Sequence, residues 1–337
     1  MGRFAIIPVF LALWSLKTLK ARYQVVTVTA PARLHMGFID MSGALGRHFG
    51  SMGVGLNEIA TRLTVSAAAQ RRVEGPGAAR AARVAEKLCS LWAVPDGVHI
   101  DIETAIPEHI GLGSGTQLAL ALGVALSRFY GLGHSARDIA ALTDRGLRSG
   151  IGIGVFEQGG LVVDGGRGPN TQTPPVLSRL PIPAGWRFIL VFDRRGQGLH
   201  GEQEVGAFER LPPFPRAMSE RLSYLLLMQA LPALAEGDLT RFGEVVTQLQ
   251  RAVGEHFAPA QGGVFTSPEV ADAMDWLQGQ GAVAIGQTSW GPTGFCAVDS
   301  EAQGRRLLAQ IEALSSSPHL DFTLASASAS GAVVECR

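Results

Sequence analysis

Ile106-Pro-Glu-His-Ile-Gly-Leu-Gly-Ser-Gly-Thr-Gln117 is the stretch that most constrains how this chain folds. Before it, Val98 to Glu103 alternates with period two and predicts a strand. After it, Leu118 to Leu126 is apolar nearly all round and rich in helix formers, which predicts a buried helix ending near Gly131. Gly111, Gly113 and Gly115 lie between them, with Ser114 and Thr116. Glycine lets a backbone turn tightly and approach a ligand closely. The free N–H groups and positive dipole end of the following helix suit a phosphate. Each such contact contributes only ~1–2 kcal/mol, so a phosphate site here needs further cations. A strand-to-helix turn without a ligand uses the same residues.

The full wording, Pro-x-x-x-Gly-Leu-Gly-Ser-Gly, resembles the phosphate loop of the GHMP superfamily, the galactokinase, homoserine kinase and mevalonate kinase group. The usual form there is Pro-x-x-x-Gly-Leu-Gly-Ser-Ser-Ala. Gly115 and Thr116 replace the final Ser-Ala.

Upstream, the β-rich run Tyr23–Thr29 predicts the first strand. Ala30-Pro-Ala-Arg33 follows and matches the first GHMP motif. Its continuation, with His35, Asp40, Arg47 and His48, is similar to one branch, the β-ribofuranosylaminobenzene 5′-phosphate synthases, which share the fold but do not use ATP. Taken without the resemblance, Asp40 could cap a turn before Gly43 and Arg47 could be a solvated charge. In the kinase branch, the segment matching Arg148–Gly160 carries an aspartate that activates the substrate hydroxyl. Seven residues before Gly159 this chain has Gly152, which can neither accept a proton nor orient a hydroxyl. The glycines at 150, 152 and 154 predict close backbone approach to a ligand, or a flexible connection into the strand at 160–164.

Further signals complete the order of elements. Ala78 to Trp92 is helical by composition, and Ser135 to Asp138 has capping-box spacing. Five prolines between Arg167 and Pro183 mark a domain junction. Trp186 to Phe192 predicts a buried strand, leading to a glycine-rich loop that carries Arg194, Arg195, His200, Glu202 and Glu204. That loop is either a ligand site or a solvated turn. Two helices (216–235 and 239–257) form a hairpin, and Ser267-Pro268 opens another helix. Residues 282–298 read as strand, turn, strand, with Gln-Thr-Ser-Trp-Gly-Pro-Thr293 similar to the synthase version of a third glycine motif. Trp290 offers a face for a planar substrate, or fills a core.

Composition bounds the partners. Lys+Arg and Asp+Glu are both 29, which argues against nucleic acid. The lysines are Lys17, Lys20 and Lys87, so phosphate-binding cations beyond residue 87 must be arginines. Three scattered cysteines form neither a disulfide framework nor a metal pattern, and cytoplasm is the expected compartment. Phe4 to Trp14 is apolar but too short to span a bilayer. Residues 1–21 read as an extension or an early start.

The resemblance implies a two-domain α+β GHMP sandwich, with a ribosomal S5-like N-terminal domain (22–175) and a ferredoxin-like C-terminal domain (176–337). It implies the joining of phosphoribosyl pyrophosphate to 4-aminobenzoate or 4-hydroxybenzoate, with loss of pyrophosphate and carbon dioxide, on the way to methanopterin-type one-carbon carriers. Asp40, Arg47 and His35 are carried over as catalytic. Arg33, Gly111, Gly113, Ser114, Gly115, Thr116, Gln117, Arg195, His200, Ser289, Trp290 and Thr293 are carried over as phosphate- and substrate-binding. Magnesium is the expected companion of the pyrophosphate, with no ligands assigned, and a homodimer is expected. The rival readings are an ATP-dependent GHMP kinase and a non-catalytic binding protein on the same scaffold.

Overall fold

A computed structural model describes residues 21–196, 206, 211–288, 291–315 and 317–337. His200, Ser289 and Trp290 lie outside the described residues, as does the expected extension up to residue 20.

Two sheets face one another across a shared core. The first contains β1 (Val25–Asp40), β2 (Phe49–Ala67), β3 (Arg72–Glu74), β4 (Val98–Thr104), β5 (Leu161–Asp164), β6 (Val176–Leu180) and β11 (Val333–Cys336). Their order is β11-β1-β2-β4-β3, with β5 added to β2 and β6 to β5. β1 is far longer than the Tyr23–Thr29 run suggests. Pro31, which has no N–H to donate, falls where the β1–β2 register shifts, so the ladder tolerates it and continues. Two segments beyond the junction at 175 belong to this sheet by pairing: β6 on β5, and β11 on β1.

The second sheet contains β7 (Arg187–Asp193), β8 (Val283–Gln287), β9 (Thr293–Val298) and β10 (Leu320–Ser326) in the order β10-β7-β9-β8, all antiparallel. With helices between β7 and β8 and between β9 and β10, this is the ferredoxin-like arrangement. The whole is the two-domain α+β fold that the sequence implies.

The helices follow the apolar patterns. α1 (Ala78–Trp92) and α2 (Ser114–Phe129) cover the first half of β1, β2 and β4. α2 is buried on nearly every side. α3 (Ala136–Leu142) carries the expected capping box between Ser135 and Asp138. α4 (Ile151–Gln158) replaces the flexible connection that the glycines at 150–154 suggest. Those glycines serve helix packing instead. A Cβ on Gly154 would stand 2.6 Å from Val162 Cγ1, and one on Gly152 would stand 3.0 Å from Thr116 Cγ2.

α5 (Arg216–Leu225) runs through a π-helical turn (Leu226–Ala230) into α6 (Leu231–Glu236), and α7 (Leu239–Gln261) returns alongside. α8 (Pro268–Gly279), capped by Ser267, and α9 (Glu301–Leu314) cover the far face of the second sheet. β7 shows the alternation directly. Phe188 and Leu190 enter the core shared with β1 and α7, while Ile189 and Val191 pack on α8 and α9.

Candidate active site

The glycine-rich loop leaves β4 at Thr104 and enters α2 at Ser114. The helix starts four residues earlier than its apolar run, so Ser114 to Gln117 form its first turn. Gly111 and Gly113 both adopt φ near +80°, a conformation that penalises any side chain. Gly113 caps the helix, and its carbonyl accepts from the amides of Thr116 and Gln117.

Both domains clamp this loop. From β1, Arg33 donates its amide to the Leu112 carbonyl at 3.1 Å and Nη1 to the Gly111 carbonyl at 2.6 Å. A Cβ on Gly113 would stand 2.8 Å from Arg33 Cγ. From the β8–β9 turn, the Thr293 hydroxyl donates to the Ile110 carbonyl at 2.7 Å. Buried Thr288 lies so close to Gly111 that a Cβ there would meet its hydroxyl at 2.0 Å. The loop is thus tied by hydrogen bonds to both sheets.

Two arginines that no motif singles out close on the start of α2. A Cβ on Gly115 would stand 3.2 Å from Arg80 Nη1 and 3.5 Å from Arg145 Nη1. Arg80, on α1, also pairs with Glu108 at 3.3 Å. Arg145, just after α3, is largely buried, and its Nε meets no hydrogen-bond partner among the described residues. Burial, and then the charge of Arg80, lower its pKa from the ordinary guanidinium value. The signals in the sequence were the absence of lysine beyond residue 87 and glycine at 115.

Gln117 does not face the loop. It is fully buried, and its Nε2 donates to the Gly152 carbonyl at 2.8 Å. Thr116 packs beside it against α4.

The other expected catalytic residues lie further along β1. His35 is 1% exposed, and its Nδ1 accepts from the Gly37 amide at 3.2 Å. Burial, and then the Arg33 charge, hold its pKa well below the ordinary imidazole value. It is a neutral core histidine supporting the bulge between His35 and Gly37, not a group presented to a ligand.

Asp40 is half-buried at the end of β1, seven residues from Arg33, on the order of 20 Å of extended strand. Burial pushes its pKa up. Hydrogen bonds, led by that of the Ser42 hydroxyl, outweigh that, so it is held below the ordinary carboxylate value. Ser42 supplies both a hydroxyl (2.7 Å) and an amide (2.9 Å). Asp40 therefore does cap the turn before Gly43, and it stays ionised. Arg47 donates Nε and Nη2 to the carbonyls of Gly165 and Gly166, each at 2.9 Å. Two of its donors thus brace the turn after β5, while the side chain remains at the surface.

Arg195 grips Asp193 in a bidentate fork (3.0 and 2.8 Å) and also bonds Glu269. Ser267 donates to Asp193 at 2.7 Å while capping α8. The pairing with Arg195, assisted by Ser267, holds the Asp193 carboxyl well below the usual range despite its burial. Arg195 is thereby committed to the protein at this strand end. Nearby, Pro107, His109, Phe192 and Asp321 line a cavity of about 450 Å³ between the loop and the second sheet.

Among the described residues no group of three histidine, cysteine or carboxylate side chains could hold a metal. Glu108, the carboxylate beside the loop, is paired with Arg80, and Arg33, Arg80 and Arg145 make the surroundings cationic.

A glycine loop opening a buried helix, clamped between an S5-like and a ferredoxin-like domain, defines a GHMP-type protein. Residues 78–158 match the GHMP kinases N terminal domain and residues 230–317 match the GHMP kinases C terminal domain. The chain belongs to the β-ribofuranosylphenol 5′-phosphate synthase family within that superfamily. It is 30% identical to the beta-ribofuranosylphenol 5′-phosphate synthase of Methanothermobacter thermautotrophicus, over 81% of this chain and 89% of that one. It is 33% identical to the Archaeoglobus fulgidus protein of the same name, over 81% and 88%. The relatives' name specifies a phenol product, one of the two that the resemblance implies. Among solved structures, mevalonate diphosphate decarboxylase from Staphylococcus aureus superposes with a TM-score of 0.64 at 15% identity, covering 93% of this chain and 98% of that one. Homoserine kinase from Cytophaga hutchinsonii superposes at 0.59 and 14%, covering 94% and 99%. These two share the fold. No described helix is long and apolar enough to cross a membrane.

Proposed function

We infer that this enzyme condenses phosphoribosyl pyrophosphate with 4-hydroxybenzoate or 4-aminobenzoate, releasing pyrophosphate and carbon dioxide. The observation that carries the reading is the glycine-rich loop beside a position, Gly152, that has no side chain to act as a base and packs tightly on Thr116. A kinase that activates its substrate hydroxyl with an acid at this position lacks it here, whereas a phosphoribosyl transfer has no hydroxyl to deprotonate. The relatives' shared name agrees.

The bonds balance simply. The ribosyl C1–oxygen bond breaks and pyrophosphate leaves with the electron pair. The ring carbon bearing the carboxylate bonds to C1. The ring–carboxylate bond then breaks, its electrons restore the aromatic ring, and carbon dioxide departs. Charge therefore builds positively at the ribosyl centre and negatively on the leaving group. The arginines around α2 answer the second. Arg47 has one terminal nitrogen to offer a phosphate or carboxylate while its others brace the turn. Any magnesium arrives on the pyrophosphate and takes no ligand cage from the protein.

Trapping labelled carbon dioxide from carboxyl-labelled benzoate, with purified protein and phosphoribosyl pyrophosphate, tests the reading. No release at any benzoate or magnesium concentration sinks it. The reading extends to a cytoplasmic homodimer. Tyr224, Leu227 and Met228, each at least 60% exposed on one helix face, support self-association, which sedimentation velocity checks.

A further inference from the structure

Two guanidinium groups converge on one backbone position, Arg80 paired with Glu108 and Arg145 beside Asp144, which itself pairs with Lys87. Folding does not favour this. Arg145 loses water, its buried Nε finds no acceptor, and a second cation faces it across Gly115. Glu108 compensates Arg80 but lies 42% exposed on the other side of that guanidinium. An arrangement that costs the free protein stability is understandable if an anion completes it. Gly115 is part of the device. The common wording of the loop has serine there, and a side chain at this point would enter the space in front of both arginines. Arg80 also lines, with Gly77, Glu108 and Ser114, a cavity of about 140 Å³ beside the loop, of the order that holds a small ligand.

We propose that Arg80 and Arg145, across Gly115, form the subsite for the diphosphate of phosphoribosyl pyrophosphate. The proposal rests on the synthase reading and adds the orientation of the substrate. The diphosphate lies at the α2 start, and the ribosyl 5′-phosphate lies elsewhere in the cleft. The two forks neutralise the leaving group as the C1–oxygen bond breaks, with no proton needed. They do what a bound metal does in sites built from carboxylates.

The test is calorimetric binding of inorganic pyrophosphate and, separately, of ribose 5-phosphate to the full chain without added metal. Arg80→Gln and Arg145→Met should each weaken pyrophosphate binding about ten- to a hundredfold, the effect of losing one hydrogen-bonded charge, and change ribose 5-phosphate binding less than threefold. Gly115→Ser should act in the same direction. Free Arg145→Met should melt no lower than wild type, because a desolvated like-charged contact is relieved. Its rise in melting temperature on adding pyrophosphate should vanish. Pyrophosphate affinities within twofold of wild type overturn the proposal, and so does an equal loss for both ligands. Should Arg145→Met fail to fold, the arginine is structural and that half is overturned, while Arg80→Gln decides the other. If wild type releases no carbon dioxide but the variants lose pyrophosphate selectively, the subsite stands and the synthase reading falls.

Discussion

The side-chain amide of Gln117 donates to the Gly152 carbonyl at 2.8 Å, in a contact sealed from solvent. It ties the helix that starts at the phosphate loop to the helix that carries the kinase-base position. The two helices approach closely because residue 152 has no side chain. A glycine at this position thereby sets the spacing of the two helices.

Restoring the acid at this position should therefore not restore a kinase. Gly152→Asp places a carboxylate against Thr116 in a buried contact. Overpacking alone costs about 1–3 kcal/mol, and an unsatisfied charge adds to it. Urea denaturation should show a loss of at least that size. A variant as stable as wild type that phosphorylates homoserine or mevalonate from ATP would refute both the packing and the functional argument.

Gly113→Val tests the cradle. At φ +80° a branched side chain is strained, and its Cβ would collide with Arg33 Cγ. The strain is about 1–2 kcal/mol, and displacement of Arg33 opens the loop. Phosphoribosyl pyrophosphate binding should be lost while the circular dichroism spectrum is retained. Unchanged affinity in that variant disproves a phosphate role for the loop.

Asp40→Asn keeps size and removes charge. If Asp40 stabilises the ribosyl cation, turnover should fall roughly a hundred- to a thousandfold with little change in binding. Arg47→Gln should behave differently. It frees the carbonyls of Gly165 and Gly166, so it should weaken substrate binding and lower stability by about 1 kcal/mol. Because Asp40 titrates below the ordinary carboxylate value, activity lost between pH 6 and about 5 belongs to another group. If both variants keep half of wild-type turnover, the pair only shapes its turns.

The Asp193 cluster predicts an acid response. Its folded pKa lies below the unfolded value of about 3.9. Its stabilisation is thus complete above that pH and disappears as pH falls through the folded value. Asp193→Asn should be roughly 1–3 kcal/mol less stable than wild type at pH 7, with the difference closing below about pH 4. A difference that persists unchanged to pH 2 would show that the charge does not matter.

Local chemistry and periodicity by themselves determined much of this protein. The capping box at Ser135 and Asp138, the Ser267-Pro268 helix start and the buried strand at Trp186–Phe192 were legible because each depends on neighbours within a few residues. The loop's wording, with Gly152, carried the family and the absence of a kinase base. What lay beyond the sequence were relationships between distant segments. The β-rich run stopped at Thr29, and only the register shift against β2 lets the strand continue through Pro31. The glycines at 150–154 looked like a mobile link, and only the approach of α2 makes them a packed helix. His35 matched a catalytic motif, yet burial beneath the shared core turns it into support. Arg80 and Arg145 matched nothing, because they lie 65 positions apart in the chain and meet only through the packing of α1 and α3 around α2. Charge in a cleft is a sum over all the segments that fold toward it, and no short window of sequence contains that sum.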